Sequence, residues 1–180
     1  MSSHHAYQMY AHITWHTWKR IGCVDRGAAE DVRNAVASAS RATGVRVLRG
    51  AVLADHVHLV VSFRPDTRLS DFVRLAKSVA ATRANRRTTG AVRWARGYFA
   101  TTIHRRDLTP VIHYVARQFE RHPDRIPRQS RATPGPTDPG REPGDTRPGI
   151  VEGDHWPKLT PGASPGLMSV GPLPDPGPLG

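Results

Sequence analysis

A single cysteine, Cys23, stands in the 180 residues. That excludes an intrachain disulfide and any zinc site built from several thiolates, and it sets the expectation of a reducing, cytoplasmic setting. No apolar run approaches the ~20 residues of a membrane span, and the first residues carry no signal-peptide h-region, so no membrane partner is expected. Lysine is scarce too: arginine supplies nearly all of the 26 basic residues, against 15 acidic ones. The excess sits at the front, where residues 1–128 hold 22 Lys and Arg against 9 Asp and Glu, while residues 129–180 hold 4 against 6. Guanidinium forks match paired phosphate oxygens, so the front of the chain wants a polyanion. Aromatic residues are almost missing from 131–180, where Pro and Gly abound. Such a segment buries too little apolar surface to offset its ordering entropy. The expectation is a domain over 5–128 and a disordered Pro/Gly-rich tail over 129–180.

What is present reads as alternating strands and helices. "YQMYAHITWHTW" (7–18) puts Ile13 and Trp15 on one face and His12, Thr14 and His16 on the other, a strand. Residues 27–42 space Val32, Ala35, Val36 and Ala39 as a helix does, closed by Gly44. Two β-rich runs share 45–63. A second amphipathic helix over 67–85 turns Leu69, Phe72, Val73, Ala76, Val79 and Ala80 inward. "GYFATTIH" (97–104) is the fourth strand. Thr109 reads as the N-cap, and Pro110 as the first residue, of a third helix running to about His122, where Pro123 stops it. This β-α-β-β-α-β-α order predicts an α+β, ferredoxin-like split βαβ sandwich, with an antiparallel sheet and helices on one face.

The run "ADHVHLVVSF" (54–63) carries the chemistry. Residues two apart on a strand share a face, so His56 and His58 point one way while Val57, Leu59, Val61 and Phe63 fill the core. Two imidazoles one pleat apart can converge on a metal ion. On the third helix Ile112, Val115 and Phe119 form the inward stripe, and Tyr114 and Gln118 stack four apart on a neighbouring face. Gln118 can lend an amide oxygen to a hard divalent cation, with Tyr114 one turn away. A tyrosine beside a metal on an arginine-rich domain can attack a phosphodiester. Arg74, Lys77 and Arg83 lie outside the apolar stripe of the second helix, and Arg93 and Arg96 lie beside the fourth strand; these five are candidate DNA-backbone contacts. His12, His16, His104 and His113 show no spacing signal.

The combination resembles the single-tyrosine transposases of the HUH superfamily (His, bulky apolar, His), the insertion sequence 200-like transposase family with its REP-associated relatives. "YAHITWHTWKR" is similar to the family's first strand, "GVRVLRGAVLADHVHLVVSF" to its central hairpin, and "LSDFVRLAKSVAATRAN" to the helix that follows. "WARGYFATTI" is similar to its Trp-x-x-Gly-Tyr-Phe strand and "VIHYVARQ" to its Tyr-x-x-x-Gln helix, so the likeness spans most of residues 8–120 in order. The resemblance implies that His56, His58 and Gln118 ligate Mg²⁺ or Mn²⁺ and that Tyr114 is the nucleophile. It implies cleavage and rejoining of single-stranded DNA near hairpins at element ends, through a 5′-phosphotyrosine link, by a homodimer. The linker before Trp94 is shorter than the family's, and the Pro/Gly tail is no part of its pattern. Two other readings stand beside it: a non-catalytic nucleic-acid-binding module on the same sandwich, and a metal-dependent hydrolase that releases free product.

Overall fold

In the computed structural model, which describes residues 8–87 and 91–129, the alternating N-terminal run forms β1, Met9–His16. Helix α1, Arg26–Thr43, begins where the Asp25 carboxylate accepts the Ala28 N–H at 2.7 Å and ends at Gly44 in the left-handed region, φ 72°. Strands β2, Arg46–Val52, and β3, His56–Phe63, form the expected hairpin. Helix α2 is Leu69–Arg87, and β4, Phe99–Thr102, is a short exposed strand. The chain continues as α3, Leu108–Ala116, and a single turn, α4, Gln118–Arg121. The strand order is β2-β3-β1-β4 with every pair antiparallel, the split βαβ arrangement read from the sequence.

One face of this sheet holds the main core. Ile13, Trp15, Val57, Leu59 and Val61 pack there against Val32, Val36 and Ala39 of α1 and Phe72, Val73, Ala76 and Ala80 of α2. The α+β class stands, but the helices are not all on that face. A second, smaller cluster joins Ala51, Leu53 and Val60 to Val115, with Leu48, Val111, Ile112 and Phe119 around it, so α3 covers part of the opposite face. The physical reason is Val60. It alternates with Leu59 and Val61 and therefore stands on the histidine face, and there it is fully buried. An apolar patch at one end of an otherwise polar face needs a cover, and the apolar stripe of α3 supplies it.

A second correction concerns the start of α3. Its N-cap is Asp107 and not Thr109, because the 3-10 turn Arg105–Asp107 leads directly into the helix. Pro110 then falls in the first turn, where a missing N–H costs no helical bond. The expectation for residues 130–180 lies outside the described residues, as do residues 1–7. Among the described residues no helix is long and apolar enough to cross a membrane.

Candidate active site on the histidine face

Pairing of β1 with β3 builds the site. The register sets Thr14 opposite His58 and His16 opposite His56, so the polar face of β1 adjoins the two histidines of β3. The His56 and His58 rings are 4.9 Å apart between centroids and inclined at 75°. Each is anchored through Nδ1. His56 Nδ1 is 2.6 Å from Asp55 Oδ1, and His58 Nδ1 is 2.9 Å from His12 Nε2. Asp55 is itself 1% exposed and is held by Arg125 through its other oxygen. The Asp55 carboxylate is an acceptor, which fits a donating His56 Nδ1 and leaves its Nε2 lone pair available; His58 would have the same form where its Nδ1 donates to His12.

Electrostatics keep these rings neutral. Burial pushes His58 down to about 3, aided by the neighbouring charges of His56, His12 and His122. Burial also lowers His12 and His56, and in His56 the hydrogen bond and charge of Asp55 work against it. A neutral imidazole pair at pH 7 offers lone pairs without first losing a proton.

The third helix brings the remaining residues over this face. The Tyr114 ring meets His58 edge-on at 6.1 Å between centroids and His12 at 6.0 Å. The ring is 39% exposed, with the Arg121 guanidinium 5.0 Å from its centroid. Beyond α4, His122 meets His56 at 5.7 Å. A cavity of about 240 Å³ is walled by Thr14, Trp15, His16, Arg20, His56, His58, Tyr114 and His122. Gln118 lies between Tyr114 and His122 in the chain and is fully buried, so it is no part of that wall. Its Nε2 donates to the Tyr114 carbonyl at 3.0 Å, and its buried Oε1 has no hydrogen-bond partner.

That orphaned oxygen is the observation by which a metal can be judged. A buried carbonyl without a partner costs about 1–3 kcal/mol, and a cation would satisfy it. Among the described residues no group of three or more His, Cys, Asp or Glu gathers as a metal site; an amide oxygen is a donor that a hard divalent cation accepts. Two imidazole nitrogens and one amide oxygen suit a cation of mixed preference, Mn²⁺ better than Mg²⁺.

The five candidate DNA contacts lie elsewhere. Arg74, Lys77 and Arg83 are on α2, whose buried residues pack on the sheet face away from the histidines. Arg74 pairs with Asp71 at 3.3 Å, and Lys77 donates to the carbonyls of Ala95 and Gly97 at 2.8 and 2.7 Å, fastening the strand-four approach. Arg93 stacks over Trp18 at 4.6 Å, and Arg96 is exposed. Sequence reading passed over His12, Asp55 and His122. The polar face of β1 was the signal for His12, but its register against β3 is not written in the chain. Asp55 immediately precedes His56, and no periodicity marks it.

The family model described as transposase, IS200 like, matches residues 5–118. The ISDra2 transposase TnpA of Deinococcus radiodurans is 23% identical over 124 residues, covering 65% of this chain and 89% of that protein. Among solved structures, a REP-associated tyrosine transposase bound to a REP hairpin superposes with a TM-score of 0.54 at 16% identity, over 68% of this chain and 74% of that one. At that identity the superposition speaks for the fold alone.

Proposed function

Since the chain belongs to the IS200-like transposase family, we propose that it cuts and rejoins single-stranded DNA through a covalent link to Tyr114. One observation carries the reading: Tyr114 abuts the His56–His58 pair while Gln118, one turn on, buries an unpartnered Oε1. In this reading His56, His58 and Gln118 hold Mg²⁺ or Mn²⁺, with Asp55 and His12 fixing the two rings. When bound, the cation supplies Lewis acidity at a phosphate oxygen and at the leaving group. Tyr114 loses its Oη proton, and Oη bonds to phosphorus as the P–O3′ bond breaks. The departing 3′ oxygen takes up a proton and leaves as a free hydroxyl. The new phosphotyrosine diester keeps the energy of the broken one, so a 3′-OH can reverse the step and join strands without ATP.

The partner in this reading is single-stranded DNA carrying a hairpin, which the relative bound to a REP hairpin supports, and the setting is cytoplasmic. Arg74, Arg83, Arg93 and Arg96 act through salt-sensitive backbone contacts. Lys77 joins them only if DNA displaces its two carbonyl partners. The protein works as a homodimer; among the described residues the outer edge of β4, with Phe99 64% exposed, has no strand beside it, and a second copy can pair there.

The test uses labelled hairpin oligonucleotides from the chain's own genomic flanks with Mn²⁺ or Mg²⁺. A denaturation-resistant protein–DNA adduct is expected, lost in Tyr114→Phe and weakened in His56→Ala. Cleavage that survives Tyr114→Phe would point to a hydrolase, and binding without cleavage to a non-catalytic module.

A further inference from the structure

Two cavities of this domain share a single side chain. The histidine cavity is walled on one side by Arg20. A larger cavity of about 530 Å³, within the range of small-ligand sites, lies between the 20–25 segment and residues 124–129 and is also walled by Arg20. Its lining includes Cys23, Arg125 and Arg128 together with the acidic residues Asp25 and Asp124.

The backbone that presents Arg20 is strained. Lys19 and Arg20 have φ of 54° and 55°, the only positive-φ residues other than glycine among those described. Ile21 N–H donates to the Trp18 carbonyl at 3.2 Å, so both central residues of a tight turn are left-handed where Gly or Asn would be the easy choice. The turn is tied to the site. Thr17, fully buried, donates its N–H to the Asp55 carbonyl at 2.8 Å and its Oγ1 to the Ile21 carbonyl at 2.6 Å. Asp55 is the residue that anchors His56, so hydrogen bonds connect the turn to the histidine pair.

Charge separates Arg20 from its neighbours. Arg125 is neutralised by Asp55 and Asp124. Among the described residues the Arg20 guanidinium makes no hydrogen bond or ion pair, and it walls the same cavity as His56 and His58. A guanidinium with no partner among the described residues, held by a strained turn where the two cavities meet, is placed for an anion spanning both.

We propose that Arg20 binds a backbone phosphate of the DNA strand where it passes from the histidine cavity into the larger one, and that the larger cavity receives the adjoining nucleotide. The proposal rests on the single-strand reading above and adds a residue and a path to it.

The test measures binding, apart from cleavage, with a fluorescent strand of about twenty thymidines and the full chain. Arg20→Gly removes the fork and relieves the turn, so its Tm should equal or exceed that of the wild type, while affinity falls about tenfold. The slope of log K against log salt should shrink by about 0.7, the share of one phosphate. Arg20→Lys, which keeps the charge and loses the fork, should fall between, and it carries the comparison if Arg20→Gly does not fold. Cys23, the one cysteine, reports on the larger cavity: saturating oligonucleotide should slow its alkylation. Unchanged affinity in either variant, or an unchanged salt slope in Arg20→Gly, overturns the phosphate contact. An unchanged alkylation rate overturns the nucleotide site. Loss of the Tyr114 adduct reading would leave these binding results standing, since none of the arms requires cleavage.

Discussion

Replacing Gln118 by Met separates a metal ligand from a packing residue, because the two roles predict opposite signs in the metal-free protein. Gln118 is fully buried, its Nε2 gives one hydrogen bond to the Tyr114 carbonyl, and its Oε1 has none. Without metal, deleting the orphaned oxygen recovers about 1–3 kcal/mol, while the lost hydrogen bond costs about 0.5–1.5 kcal/mol and the near-isosteric swap little more. Gln118→Met should therefore be roughly 0–2 kcal/mol more stable than wild type, a rise in Tm of up to about 8 °C for a domain of this size. With Mn²⁺ at about 100 times its Kd, the wild type should gain about 2.7 kcal/mol, or about 10 °C. If the amide ligand is worth about 100-fold in affinity, the same Mn²⁺ gives the variant only about 0.4 kcal/mol, under about 2 °C. Thermal melts of both proteins, with chelator and with Mn²⁺, read out all four values without any DNA. A variant that melts well below wild type in chelator, yet rises as far with Mn²⁺, would refute the ligand assignment and leave Gln118 a packing residue.

Three further outcomes follow from the same geometry. His12→Ala should weaken Mn²⁺ binding about 10- to 100-fold, because the His58 Nδ1 partner at 2.9 Å is removed while both metal-facing rings remain; titration calorimetry checks it. Metal-free stability should be full above about pH 6.5 and fall as pH drops toward 3, by on the order of 1 kcal/mol per pH unit, because the unfolded chain takes up a proton that folded His58, with its pKa lowered to about 3, refuses. Burial lowers His12 and His56 in the same direction, and denaturant melts of wild type and His58→Gln between pH 7 and 5 should show the shallower slope in the variant. Phe99→Lys, at a 64% exposed edge position, should leave the monomer fold within about 0.5 kcal/mol of wild type while shifting the proposed dimer to monomer in sedimentation.

Local periodicity carried the fold a long way because each element here has one clearly apolar face. Alternation in β3 separated Val57, Leu59 and Val61 from His56 and His58, and the 3.6-residue spacing in α2 picked out Phe72, Val73, Ala76 and Ala80, all buried. The site was legible only as far as each residue's own element allowed. His56 and His58 declared themselves by spacing, whereas His12 depends on which β1 residue faces which β3 residue, a register that turns and packing set and no single strand records. The side taken by α3 was hidden differently. Val60 lies among the histidines by alternation, and its burial with Leu48 and Ala51 on that face is what calls for the Val111, Ile112 and Val115 stripe. Once that stripe is seated, Tyr114 stands on the neighbouring flank of α3, turned toward His58 and His12, while Gln118 opens the separate turn beyond Arg117 and is fully buried. The position of Tyr114 over the two histidines thus depends on an ordinary apolar contact two residues beyond His58, the packing of Val60 against the α3 stripe.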